Sequence, residues 1–488
     1  MAADYAILEH RPQTTTWPTR RLPRFMGRVV MLGCGSIGQA VLRLLLDDLG
    51  LEPRAIEVVT ADDRGRAVCT ERGVSFTALP LDADNHVAAL ITRLRPGDLL
   101  VNLSVEVESM AVIRLCAARG AMYVDSGLEP WAGGYTDTRL GPAERSNHAL
   151  RQKALALGRE LGRSPTAVIC QGANPGLVSQ LAKAALLQLA RDLRREPTAP
   201  PANRAGWAGL ARALDVRMIH IAERDSQVDH HPFDPDEFVA TWSIDGFLGE
   251  GSQPSELGWG THEPELPPDA ARHADPLAAS IWLSRPGAAT RVRSWTPMRG
   301  PILGWLITHM ESISLADFLT VHDHGRPIWR PTVLYAYRPC DHAILSLHEL
   351  ALRNFVPPPR QRLMGEEIVA GADELGVLLA GHARNALWFG STLTIDEARR
   401  LIPGANATAV QVGAGVLAGI VHAIEHPAQG LVEPEALDHE RALEVARPYL
   451  GRLHHQYTDW TPLDGRGRLF PEALDHADPW RFANLRVC

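Results

Sequence analysis

Gly33-Cys34-Gly35-Ser36-Ile37-Gly38 is a complete G-x-G-x-x-G run that starts directly after the apolar stretch Val29–Leu32. In such a run the first glycine permits a tight turn. The second lets a pyrophosphate approach the backbone, and the third lets the following helix pack on the strand. Free N–H groups and the dipole at the helix start favour the negative charge. Gly33, Gly35, Ser36, Ile37 and Gly38 are therefore expected to cradle a dinucleotide. Polar residues also follow later apolar runs: Asn102 and Ser104, Asp125 and Glu129, and Asn174. A third set lies further on. Glu223 ends an apolar run, Trp242 sits in Thr241-Trp242-Ser243, Glu250 follows a glycine, His309 closes Gly304–His309, and Asp373 lies in Gly371–Gly376.

The elements that must position these residues alternate regularly from Gly27. Strands are expected at 28–32, 56–60, 74–78, 99–103, 122–125 and 167–170. Ile37, Val41, Leu44, Leu45 and Leu49 recur at helical spacing, with Gly50 as a stop. A further helix is expected around 84–95, and Gly73 and Gly120 lie where helices should end. Repeated βα units imply right-handed crossovers and a Rossmann-type doubly wound parallel sheet, so the fold class is α/β. Ligands in such sheets sit outside the carboxyl ends of the strands. That rule brings Asn102, Ser104, Asp125, Glu129 and Asn174 to the edge that holds the cofactor. The second strand closes on Ala61 where an acid is expected; the acid that follows, Asp62, is the expected contact to the ribose hydroxyls and favours NAD over NADP, and Arg64 comes after Asp63.

After about residue 210 the pattern changes. Stretches 216–223 and 238–244 alternate like half-buried strands, with Asp245-Gly246 as a hairpin-type turn. Stretches 280–285 and 290–295 flank Pro286–Ala289 like a second hairpin, and 304–309 and 332–337 add strands. Helices are expected at 342–353 and 397–401, the latter with a Thr394/Glu397 capping box. The small-residue stretch 406–425 suits a closely packed helix, and 201–204 and 263–272 read as loops. The expected organisation is an N-terminal arm (1–26), a nucleotide-binding domain (27–205), an α+β domain on an antiparallel sheet for substrate and dimer contacts (206–405), and a C-terminal helical segment (406–488). Its first part, 406–430, packs back on the nucleotide domain.

Composition narrows the function. With 22% charged and 45% hydrophobic residues, the 488-residue chain is ordinary for a soluble globular protein. A formal charge of −8 gives no attraction to nucleic acid or anionic membrane and suits a cationic substrate. Only Lys153 and Lys183 are lysines, so there is no Walker A loop and no clear Schiff-base residue. The six cysteines are scattered and read as reduced thiols. The N-terminus lacks a signal peptide's apolar core, and no 18-residue apolar run is expected to span a membrane; both point to the cytoplasm. His322-Asp323-His324 and His454-His455 lack metal-spaced partners, so no metal is expected. No G-x-S-x-G elbow occurs. Read singly, an acid such as Glu250 is a surface charge, Trp242 is core, and His309 is a satisfied buried histidine.

Taken together, many stretches resemble the bacterial homospermidine synthases, members of the saccharopine-dehydrogenase-like superfamily. They are 31–38, 102–106, 128–131, 172–178, 219–227, 241–247, 253–262, 291–297, 322–331, 373–385 and 457–463, in collinear order from about residue 27. Glu256-Leu257-Gly258-Trp259-Gly260-Thr261-His262 is long enough to be specific. The resemblance implies a homodimer that joins two putrescines, with spermidine as a further candidate substrate, and releases ammonia. Bound NAD takes a hydride from an amine-bearing carbon, the imine exchanges its amine, and the hydride returns. The resemblance places Glu223, Glu250 and Asp373 around a diamine dication, with Trp242 as a cation–π face. It also places Glu129, Asn174 and His309 near the reacting carbon. A saccharopine- or carboxynorspermidine-type NAD(P)H-dependent reductase stays open, because Arg291, Arg293 and Arg299 are available for a carboxylate. So does a non-catalytic NAD-sensing protein.

Overall fold

The computed structural model describes residues 21–487. Of the expected arm, residues 1–20 lie outside that range; Leu22 and Phe25 pack against the body of the protein. The alternation from Gly27 builds β1 (Val29–Leu32), β2 (Ile56–Thr60), β3 (Ser75–Ala78), β4 (Leu99–Asn102), β5 (Met122–Asp125) and β6 (Ala167–Val168). The first crossovers are α1 (Ser36–Asp47) and α2 (Arg66–Arg72). All pairs are parallel, in the order β6-β5-β4-β1-β2-β3, and Leu431–Val432 adds a seventh strand beside β6. The central strands β1, β4 and β5 are buried on both faces, which is why they read as continuous apolar runs. Gly73 and Gly120 end their helices in the left-handed conformation.

The second sheet has eleven strands and is mixed. Its centre is β7 (Met218–Asp225), antiparallel to Ala372–His382 and parallel to Thr332–Arg338. The expected antiparallel sheet is present and contains one parallel pair. The helix Ala407–Glu425 runs between the two sheets' layers. Its small residues permit close approach: a Cβ on Gly415 would lie 1.9 Å from the Gly172 carbonyl oxygen, and Gly413 faces Ala40 and Leu44 of α1. This 19-residue helix is long and apolar enough to cross a membrane, contrary to the expectation of no such run, but 83% of it is buried inside the protein.

Several local expectations are overturned by capping and partner choice. Asp245-Gly246 is not a hairpin turn. Ser243 accepts the Gly246 N–H and starts the helix Ile244–Ser252, so the strand ends at Ala240 and Glu250 is on a helix rather than after a glycine turn. Ser280–Pro286 and Arg291–Thr296 are strands but not a hairpin; the first pairs with Pro254–Gly258, the second with Gly300–Trp305. That last strand stops at Trp305, so His309 caps the helix Met310–Phe318 instead of ending a strand. Ala270–Arg272 is a short edge strand within an expected loop, and Arg204 begins the helix Arg204–Ala213. The segment from 406 is not wholly helical, since Leu431–Val432 joins the first sheet and Arg452–Thr458 the second. The capping box at Thr394 and Glu397 is present as expected.

Candidate active site

The glycine run can be tested for fit to a dinucleotide by asking what a side chain would meet. Gly33 has φ +84°, and a Cβ there would lie 2.6 Å from the Leu103 oxygen; on Gly38 it would lie 2.6 Å from the Gly33 oxygen. At Gly35 a Cβ would meet nothing within 4 Å. The first and third glycines are thus required by packing, and the second faces open space beside the start of α1. No side chain caps that helix, so the N–H groups following Gly35, from Ser36 and Ile37 onward, remain available to a phosphate. This arrangement fits a bound pyrophosphate.

The other expected cofactor residues are placed unequally. Asn102 and Asp125 are buried and linked through Tyr123, whose hydroxyl donates to Asp125 at 2.7 Å and receives the Asn102 amide at 3.2 Å. Ser104 donates to the Asn102 oxygen at 2.5 Å, and the Cys170 N–H donates to Asp125 at 2.6 Å. These side chains lock the ends of β4 and β5 and the loop after β6 together. Burial pushes Asp125 up to about 7. Asp62 stands apart at the end of β2, where Arg64 donates to it from its N–H at 2.9 Å and its Nε at 2.7 Å.

The remaining candidates converge where the two sheets meet. On β7, alternation points Glu223 and Asp225 to one face. Glu223 is 3% exposed, accepts the Asn174 amide, and accepts the Tyr335 hydroxyl at 2.5 Å. Burial pushes its carboxyl up to about 7, against the pull of these two donors. The Tyr335 ring lies 4.2 Å from the His309 ring. His309 is held by Glu250 at 2.9 Å on Nε2 and by Glu311 at 3.3 Å on Nδ1. Burial alone would lower it, but the two carboxylates push it up to about 10, so it is an imidazolium at neutral pH. Glu129 sits across from Glu250. Burial and the Glu250 charge push it up to about 8, while the Glu106 N–H pulls the other way.

Asp373 lies opposite Asp225 in the strand register. Thr408 donates to its Oδ2 at 2.6 Å, whereas Oδ1 is buried without a partner. Burial, then Glu223 and Asp225, hold it well above the usual carboxylate range. Asp225 is itself satisfied by Thr241 and Gln227. Trp242 is half-buried, stacks on Phe247 at 5.0 Å and donates Nε1 to the Tyr337 hydroxyl at 3.1 Å; Tyr337 stacks on Tyr335. A small cleft of about 20 Å³ is lined by Glu129, Tyr135, Cys170, Glu250 and His309. That is room for one water- or ammonia-sized group. A surface depression of about 880 Å³ lies elsewhere, along the C-terminal segment.

The sequence reading did not single out Tyr135, Asp225, Glu311, Tyr335 or Tyr337. Two of them had a local signal: Asp225 lies two residues after Glu223, just past the end of an expected strand, and Glu311 two residues after His309. Tyr335 and Tyr337 carried only strand alternation, which does not say what the face meets. Tyr135 lies in an irregular connection between β5 and the helix Asn147–Leu161.

Two family models match: the saccharopine dehydrogenase NADP binding domain over residues 29–168, and the saccharopine dehydrogenase C-terminal domain over residues 172–459. The chain is 48% identical over 484 residues to a homospermidine synthase of Blastochloris viridis, covering 97% of this chain and 99% of that protein. It is 44% identical over 477 residues to a homospermidine synthase of Mesorhizobium japonicum, covering 96% and 98%. The crystal structure of a homospermidine synthase from Legionella pneumophila in complex with NAD superposes with a TM-score of 0.89 at 44% identity, over 96% of this chain and 99% of that one. The chain belongs to the homospermidine synthases, within the saccharopine dehydrogenase family.

Proposed function

We propose that this chain joins two putrescines into homospermidine and releases ammonia. The observation that carries the reading is the buried cluster of carboxylates and aromatic faces at the carboxyl edge of a dinucleotide-binding sheet. Isolated buried charges are costly, and a dicationic diamine supplies the missing partners. NAD, when bound, supplies an acceptor that can hold a hydride and return it.

The chain's own residues account for the rest. An amine must be neutral before its carbon can lose a hydride, so a base must take its proton. Glu223 is suited to that step, since it titrates near neutrality and is oriented by Asn174 and Tyr335. Glu129, pushed up to about 8, keeps its proton at neutral pH and can give it to the departing amine. The small cleft beside it suits ammonia. The His309 imidazolium stays paired with Glu250 and Glu311, and its ring positions Tyr335. Asp373, with one unpartnered oxygen, and the Trp242–Tyr337 edge hold the distal ammonium. The buried setting keeps water from an imine between the two amine additions. Putrescine deuterated at its amine-bearing carbons tests this. Homospermidine retaining all of that deuterium supports internal return of the hydride, and loss of one deuterium contradicts it.

We also propose a homodimer; a light-scattering mass at twice 53.3 kDa supports it, and the monomer mass refutes it.

A further inference from the structure

Cys34 lies inside the glycine run, and Cys69 lies on α2, which follows the expected ribose-binding segment. Their Sγ atoms are 4.0 Å apart, and both side chains are at most 1% exposed. Cys69 is the only buried residue of the seven-residue α2; most of the helix faces solvent. The turn that leads into it is pressed on the same thiol, because a Cβ on Gly65 would lie 2.2 Å from Cys34 Sγ. A short helix that faces mostly solvent opens locally at little cost, and opening exposes both sulfurs at once. The contact with Cys34 holds the Cys69 thiol below the usual cysteine range, which favours it as the attacking thiolate.

We propose that Cys34 and Cys69 form a reversible disulfide that weakens cofactor binding. The oxidant class is a hydroperoxide. Cys69 thiolate attacks the peroxide oxygen, giving a sulfenic acid and hydroxide that leaves as water. Cys34 then attacks the sulfenic sulfur, the S–S bond forms, and a second water leaves. Two thiols lose two electrons in total, and one hydrogen peroxide becomes two waters. A disulfide needs an S–S distance of about 2.05 Å, so the sulfurs must approach by roughly 2 Å. Gly33 and Gly38 are locked by backbone contacts, so α2 moves and carries 62–66 towards the glycine loop. A dinucleotide must lie between those segments, hence bond and cofactor compete. Linkage makes the effect reciprocal, so bound NAD protects the thiols.

The full chain is treated with hydrogen peroxide with and without NAD, quenched, alkylated and mapped by peptide mass spectrometry. NAD affinity is measured by calorimetry on the reduced, oxidised and dithiothreitol-treated protein, and on Cys69→Ser and Cys69→Ala. The expected result is a Cys34–Cys69 linked peptide, suppressed by NAD. NAD binding should weaken about tenfold or more, recover with dithiothreitol, and be insensitive to peroxide in either variant. Oxidation without the linked peptide, a linked peptide with unchanged NAD affinity, or equal peroxide sensitivity in the variants overturns the proposal.

Discussion

Replacing Tyr335 with Phe removes one donor from Glu223 and almost nothing else, because both side chains are 3% exposed and the ring contacts to His309 and Tyr337 remain. A hydrogen bond to a charged group contributes about 1.5–3 kcal/mol. Since about 1.4 kcal/mol corresponds to one pH unit, losing the bond raises the Glu223 carboxyl by roughly 1–2 pH units. From about 7 in the parent, it moves to roughly 8–9 in the variant. At pH 7 the ionised fraction then falls from about one half to between about one tenth and one hundredth. If Glu223 takes the amine proton, kcat/KM at pH 7 drops about 5–50-fold and recovers as pH rises. The assay is the pH profile of homospermidine formation by parent and variant at saturating NAD. An acidic limb displaced upward agrees with the mechanism. A drop of the same factor at every pH refutes the role of Glu223 as the base, even if activity falls.

Further outcomes follow from particular contacts. Gly35→Ala should keep the parent melting temperature and lose NAD binding in calorimetry, because a Cβ there meets only open space; Gly38→Ala should lower the melting temperature, because its Cβ meets the Gly33 oxygen at 2.6 Å. Trp242→Ala should raise the KM for putrescine by about 2–30-fold, the range of a cation–π interaction of ~0.5–2 kcal/mol, with circular dichroism unchanged. Stability should fall as pH rises from 7 to 8. Glu223 and Glu129 move from an ordinary 4.5 to about 7 and about 8, and His309 from 6.5 to about 10. Each stabilises the fold while protonated, fully below its ordinary value, and loses that contribution as pH passes the folded value. Between pH 7 and 8, above the range where the depressed His148, His220, His382, His439 and His454 add stability and below that of Lys183, melting curves without diamine should therefore decline, and the gain from added putrescine should grow as its charge replaces the lost protons. A melting temperature that rises over this window contradicts the assignment.

The nucleotide sheet was readable because its central strands β1, β4 and β5 are buried throughout and so appear as apolar runs, punctuated by glycines at turns and caps, whereas the edge strand β3 is partly exposed. The loop after each strand then placed Glu129 and Asn174 at the cofactor edge by topology alone. The second sheet was harder. Asp245-Gly246 carries a hairpin signature, but Ser243 captures the Gly246 N–H and the same residues become a helix that presents Glu250. His309 looked like a strand end because Leu306 and Ile307 extend the apolar run, but the strand ends at Trp305 and His309 starts the next helix. Tyr335 and Tyr337 reach the site only through the parallel register of their strand with β7, a long-range pairing that local periodicity does not encode. Asp62 illustrates a different limit: its type and position were visible, but its engagement with Arg64 depends on a two-residue turn geometry.

The most direct test is to incubate purified protein with putrescine and NAD at a small fraction of the diamine concentration, following homospermidine, ammonia and NADH absorbance together. Homospermidine and ammonia in equal amounts, at many turnovers per NAD and with no lasting NADH, is the predicted result. NADH formed in step with consumed putrescine, or NAD binding with no amine product, contradicts it.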